Sequence, residues 1–311
     1  VSGRELNPDG VRHNHSMVGP GYPIAHPGIF PHNTESHNWT IEEWLQFDYR
    51  AGWGTEEFEE KVDNEEIEVE FPEAWEDVGD REDARLIIED NLEKIEKKKE
   101  LRRQVMENGS RIDGPFFEGS KGAGQDLSFG YKITNTNPGH NLPSGSLGAQ
   151  PEIWLNVALI DPEGKNVWES GYVDSAGDMA DLHSQDVLDG KLPHDDQLFN
   201  LQTKFLTTNL KGTDREMYLP VNFDIDQIPF LRPASQPTTV INHAPSVRME
   251  GRSIPPMGSR MANYTVPGDL ITKQGKYRLA VRLRSRAEPI YFMKFIGATT
   301  DMIRSMNEWM L

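Results

Sequence analysis

The chain has no cysteine. That excludes disulfides, thiolate metal sites, a cysteine nucleophile and a Cys-x-x-Cys-His haem attachment within its 311 residues. It has no apolar run of about 18 residues, so no membrane span is expected. Positive charge is scarce: 32 Lys and Arg stand against 50 Asp and Glu, a formal net charge of -18. Such a balance repels phosphate and argues against nucleic acid as a partner. A Gly-x-x-x-x-Gly-Lys-Ser/Thr loop, a Gly-x-Gly-x-x-Gly turn between strand and helix, and a Gly-x-Ser-x-Gly elbow are all missing. The opening "VSGRELNPDG" shows neither a basic segment nor an apolar core, so no signal peptide is visible in it.

What is present reads as several segments. With 27 Gly and 21 Pro the chain is rich in turns, which favours strands joined by loops. Residues 1–79 form an irregular N-terminal region with short helices. Thr40 is placed to cap one of them, with Glu43 at the capping-box position, Trp44 and Phe47 following and Gly52 closing it. Thr55 opens a second helix. From Glu56 to Glu100 twenty acidic residues face seven basic ones, so this stretch carries most of the charge imbalance. Within it residues 80–109 read as one long amphipathic helix, capped by Asp80 and stopped by Gly109. Its apolar stripe runs through Ala84, Ile88, Leu92 and Ile95 and resumes at Leu101 and Val105.

After Gly109 the apolar period changes from 3.6 to 2. Residues 127–134 alternate Leu127, Phe129, Tyr131 and Ile133. Residues 153–160 are apolar on nearly both faces, as in a central strand, and "DPEG" turns them back into "NVWESGYV". Residues 260–266 and 277–284 are expected to pair with each other. The fold class is therefore mainly β with α (α+β). An immunoglobulin-like β-sandwich at 110–296 follows the irregular His/Gly/Pro-rich segment and the long helix, and a C-terminal helix occupies 297–311.

Three clusters are candidates for chemistry. Five of the nine histidines, His13, His15, His26, His32 and His37, lie in the first 40 residues. Imidazoles at such spacing suit copper or zinc, or an iron carried elsewhere; a plain polar loop is the competing reading. "GHNLPSG" places Gly139, His140, Asn141, Pro143 and Gly145 in a tight structural turn or a binding contact. Asp174, Asp178 and Asp181, beside His183, supply oxygen ligands of the kind Ca²⁺ takes, without EF-hand spacing; the alternative is a solvated acidic loop.

The stretch "YKITNTNPGHNLPSGSLGAQPEIWLNVALIDPEGKNVWESGYVDSAGD" and the later "GKYRLAVRLRSRAEPIYFMKFIG" carry a resemblance. Both look like the haem-free C-terminal β domain of multihaem c-type cytochromes, in the broad cytochrome c554 and hydroxylamine oxidoreductase-like grouping. The likeness covers about residues 85–300, with Ser144 where the turn of that family has threonine. "HSMVG" is similar to the family's His-x-Phe-x-Gly element, with His15 in the axial-ligand place and Met17 where phenylalanine is usual.

The resemblance implies a haem-free subunit or C-terminal portion that docks on a multihaem c-type cytochrome polypeptide. Haem c would be carried by that partner or by a preceding polypeptide. Electron transfer would be periplasmic or extracellular, within a hetero- or homo-oligomer. His15, or else His13 or His26, would be lent as a distal ligand. A descendant that kept only the scaffold is the other arrangement. Two rival expectations stand beside it: a secreted copper- or zinc-binding protein, and an enzyme whose site is not recognised. Catalysis by this chain alone is not expected from its motifs.

Overall fold

A computed structural model describes residues 24–30, 34–119, 122–143, 151–181, 184–202, 204–207, 247–250 and 252–310. Near the start, Thr40 caps α1 (Ile41–Gln46) through a full capping box: Oγ1 accepts the Glu43 N–H, and the Glu43 carboxylate accepts the Thr40 N–H at 2.6 Å. The helix stops at Phe47, well before the expected Gly52. That glycine instead serves the turn ahead of α2 with φ +97°. Thr55 caps α2 (Glu56–Asp63) by accepting the Phe58 N–H.

The long helix α3 (Val78–Gly109) begins earlier than expected because Asp77, not Asp80, is its cap. The Asp77 carboxylate takes the N–H groups of Gly79 and Asp80. Its buried seam also differs from the apolar stripe. Arg81, Asn91 and Arg102 join Ala84, Ile87, Ile88 and Ile95 inside, whereas Val105 is 37% exposed. Arg81 forks onto Glu59 of α2 and donates to the Trp75 and Glu76 carbonyls. Arg102 donates to the carbonyls of Ser285 and Trp309. Long side chains thus let one helix serve two separate neighbours, and the apolar period hides that.

The upper half of α3 packs on an aromatic head of Trp44, Phe47, Trp53, Phe58 and Trp75, with Trp39 and Ile29 against it. Its end runs straight into β1 (Ser110–Glu118). β2 (Leu127–Asn135), β3 (Glu152–Ile160) and β4 (Asn166–Ser170) follow, then the short α4 (Gln185–Leu188). The last strands are β5 (Lys204–Thr207), β6 (Val247–Glu250), β7 (Ser259–Val266) and β8 (Arg278–Arg286). Two helices, α5 (Ile290–Phe295) and α6 (Thr300–Glu308), complete the described chain. The first of them starts inside the range expected to be strand.

The strands make antiparallel sheets ordered β1-β2-β7 and β4-β3-β8, with β5 paired to β6. As expected, β3 is a central strand and β4 returns beside it. The expected pairing of 260–266 with 277–284 does not occur: β7 lies against β2, and β8 against β3. The reason is the core. Phe129, Tyr131, Ile133 and Tyr264 of one sheet and Ile153, Leu155, Val157 and Leu159 of the other belong to one apolar cluster. The link between β7 and β8 buries Ile271 in that cluster and so passes from sheet to sheet. The fold is α+β, with about 35% of the described residues in helix and 24% in strand. Among the described residues helix outweighs strand, where mainly β was expected, because α3 alone spans 32 residues.

Candidate functional site

The histidine-rich segment becomes describable at its downstream end, and there it is built into the aromatic head. His26 is 6% exposed and precedes a 3-10 turn at Pro27–Ile29. Its Nδ1 accepts the Gly28 N–H at 3.1 Å, so the ring proton sits on Nε2, which donates to the Phe47 carbonyl at 2.9 Å. The Tyr49 ring stands edge-on to the imidazole at 4.9 Å. Burial pushes the His26 pKa down to about 4, so the ring is neutral near pH 7.

Two further contacts fasten the same turn. Asn91 of α3 donates to the Pro27 carbonyl at 2.7 Å. Gly28 lies so close to Trp44 that a Cβ there would meet the indole at 2.1 Å. Beside this anchor Arg50 reaches α6, with Asp301 at 2.6 Å and Ser305 at 3.0 Å. A cleft of about 360 Å³ lies between them, lined by His26, Tyr49, Arg50, Asp301 and Arg304 among others.

His26 therefore does not fit the ligand role expected of it, for haem iron or for copper and zinc. Both ring nitrogens already hold backbone groups: if the ring turned away, the buried Gly28 N–H would be left unbonded and the Phe47 carbonyl would keep only the Tyr49 N–H. His37 sits exposed in the 3-10 turn Thr34–Asn38. His13, His15 and His32 lie outside the described residues.

In the "GHNLPSG" stretch the described part is a hydrogen-bonded turn. Asn137 Oδ1 accepts the N–H groups of Gly139 and His140, and Asn135 donates to the His140 carbonyl at 2.7 Å. Leu142, just before Pro143, exchanges backbone hydrogen bonds with Ile254 at 2.8 and 2.9 Å. Asn141 is exposed. Gly145 lies outside the described residues.

The acidic loop is not the solvated one expected. Asp174, Asp178 and Asp181 are 8%, 2% and 6% exposed. Asp174 accepts three N–H groups, from Ala176, Gly177 and Asp178, and the Ser184 hydroxyl at 2.7 Å. Asp178 instead accepts the Tyr291 N–H at 2.8 Å, at the start of α5, and Lys294 lies 3.5 Å from it. Asp174 and Asp178 thus hold the loop to different partners. Among the described residues no group of three or more His, Asp or Glu is placed to hold a cation.

Reading residues by type missed two buried ion pairs, Arg81–Glu59 and Arg286–Glu152. The signal for the second was a charge at the end of each of two apolar strands. A hydrolytic arrangement finds no support either. His194 is held by Asp196 at 2.8 Å, and among the described residues no serine or threonine hydroxyl bonds a histidine ring. No helix among the described residues is long and apolar enough to cross a membrane. Comparison with known proteins finds no matching family model, no matching curated relative and no matching solved structure.

Proposed function

We propose that this chain is a haem-free docking and scaffold component of a multihaem c-type cytochrome assembly, working in extracytoplasmic electron transfer. In this reading the partner or a preceding polypeptide carries the haem c, which supplies one-electron chemistry. The two sheets act as an immunoglobulin-like assembly module. His15 is the first choice for a distal iron ligand, ahead of His13.

The observation that carries the reading is the commitment of His26 to the fold. Because its imidazole and the following turn are tied to Phe47, Trp44 and Asn91, the segment ahead of Ile24 is fastened at its downstream end. His15 lies nine residues before Ile24, so its backbone stays within about 30 Å of that anchor even when extended. A neutral imidazole in a Gly/Pro-rich stretch suits approach to a porphyrin, provided its second nitrogen finds a carbonyl or carboxylate. The strand, turn, central strand and return at 127–170 support the reading as well, because they follow the order of the motifs that carry the resemblance.

The test is a visible absorption spectrum with a pyridine haemochrome on natively purified material, followed by His15→Ala. A c-type α band in co-purifying or preceding polypeptide, whose low-spin signal falls in the variant, is the expected result. Colourless material, or a low-spin signal untouched by His15→Ala and His13→Ala, overturns the ligand role. Colourless material with stoichiometric copper or zinc moves the histidines to the metal-protein reading.

A further inference from the structure

Away from the residues that line the His26 cleft, the two-sheet core has an opening of its own. A cleft of about 960 Å³ lies between β1, β2 and the start of β8. Phe117, Leu127, Tyr131, Leu159, Ile271 and Leu279 line it with mostly apolar surface. That size is within the range of sites that enclose small organic ligands.

Its rim is basic in a strongly acidic chain. Lys273 is neutralised, its ammonium 2.6 Å from both Asp161 and Glu163. Lys276 and Arg278 also line the cleft and are exposed, and neither has an ion pair among the described residues. The rim is also held in place. The Tyr277 hydroxyl accepts the Lys273 N–H at 3.0 Å, and Gly275, with φ +136°, lies against Pro162.

We propose that this cleft binds an amphipathic carboxylate of the fatty-acid class. The hydrocarbon body lies between Phe117, Leu159 and Leu279, and the carboxylate meets Lys276 and Arg278. The apolar walls alone would accept any greasy group, and the two cations alone would be ordinary surface. Their junction selects a ligand with one apolar body and one anionic head. This site does not depend on the haem reading and contains none of the histidines on which that reading bets.

The experiment is isothermal titration calorimetry on the full chain with dodecanoate, dodecyltrimethylammonium and acetate, each below micelle-forming concentration. Saturable binding of dodecanoate is expected, with no detectable acetate binding and binding of the cationic amphiphile about tenfold weaker. Lys276→Glu combined with Arg278→Glu weakens dodecanoate about tenfold while the unfolding temperature stays unchanged. Ala123→Trp, which adds bulk at the exposed mouth, weakens dodecanoate as well. Absence of saturable dodecanoate binding overturns the proposal. So does equal affinity for the cationic amphiphile, or an affinity that ignores the charge reversal.

Discussion

Arg286 closes on Glu152 across β3 and β8, the Glu152 Oε2 lying 2.8 Å from Nε and 2.6 Å from an Nη atom. The two are direct register partners, and both side chains are almost wholly buried. The same guanidinium donates to the Gly177 carbonyl at 2.6 Å and to Asn307 Oδ1 at 3.0 Å. One side chain therefore joins the sheet, the acidic loop and α6. Arg286→Met strands a buried carboxylate and is expected to cost about 3–5 kcal/mol. Glu152→Met added to it recovers part of that loss, because the stranded charge goes with it. Denaturant unfolding of the single and double variants measures both. A double variant less stable than Arg286→Met would show that the charge is not the cause.

The carboxyl groups around this pair titrate abnormally. Burial, and then the charge of Glu152, push Asp178 up to about 7, against the N–H of Tyr291 and the charges of Arg286 and Lys294. The same two causes raise Glu288 to about 7. Between the unfolded and folded values the native state binds more protons than the unfolded chain, so stability falls as pH rises through about 4 to 7. His26 acts in the opposite sense: its folded value of about 4 lies below 6.5, so its contribution grows across much of that window. Asp178→Asn and Glu288→Gln should each flatten the loss of stability seen in the parent between about pH 4.5 and 7. Thermal unfolding across that range checks it, and an unchanged slope in both variants refutes the assignment.

Local signals were legible where one residue's chemistry decides the outcome. Thr40 with Glu43 and Thr55 announce helix starts through their own hydrogen bonds. The alternation of Phe129, Tyr131 and Ile133 announces a strand with one buried face. Partner choice was not legible. A loop with Pro267 and Gly268 looks like a hairpin between β7 and β8, yet Ile271 draws it across the core into the other sheet. Nor did residue type reveal that the aspartates of 174–181 are buried: Asp174 and Asp178 are held largely by backbone N–H groups, which sequence does not display. In the candidate site, histidine density drew attention to the right segment. It did not separate His26, whose role depends on a carbonyl 21 residues away.

Gly28 is a tight point of the aromatic head. The nearest indole atoms would lie 2.1 to 2.6 Å from a Cβ at that position, and Trp44 is only 1% exposed. Trp44 is further held by its Nε1–H donating to the Ser36 carbonyl at 2.8 Å. It therefore has little room to yield, and Gly28→Ala is expected to destabilise by about 1–3 kcal/mol. Near-ultraviolet circular dichroism and denaturant unfolding would register it. Parent-like values in both would mean that the turn is not wedged against the ring.

His26→Phe separates structure from ligation. Phenylalanine keeps an aromatic ring beside Tyr49 but offers nothing to the Phe47 carbonyl or the Gly28 N–H; the buried Gly28 N–H loses its partner, while the carbonyl keeps the Tyr49 N–H. The expected cost is about 1–3 kcal/mol for the unbonded N–H, lower if water reaches it. It also removes the histidine part of the pH dependence, so the falling slope to which Asp178 and Glu288 contribute between about pH 4.5 and 6.5 becomes steeper. If the chain lends an imidazole to a haem, the low-spin signal of the native assembly survives His26→Phe at temperatures where the variant is folded, and falls with His15→Ala. The reverse pattern, a lost low-spin signal in a folded His26→Phe protein, would mean that His26 leaves its two backbone partners to reach iron. It would make the anchored conformation one state of a switch.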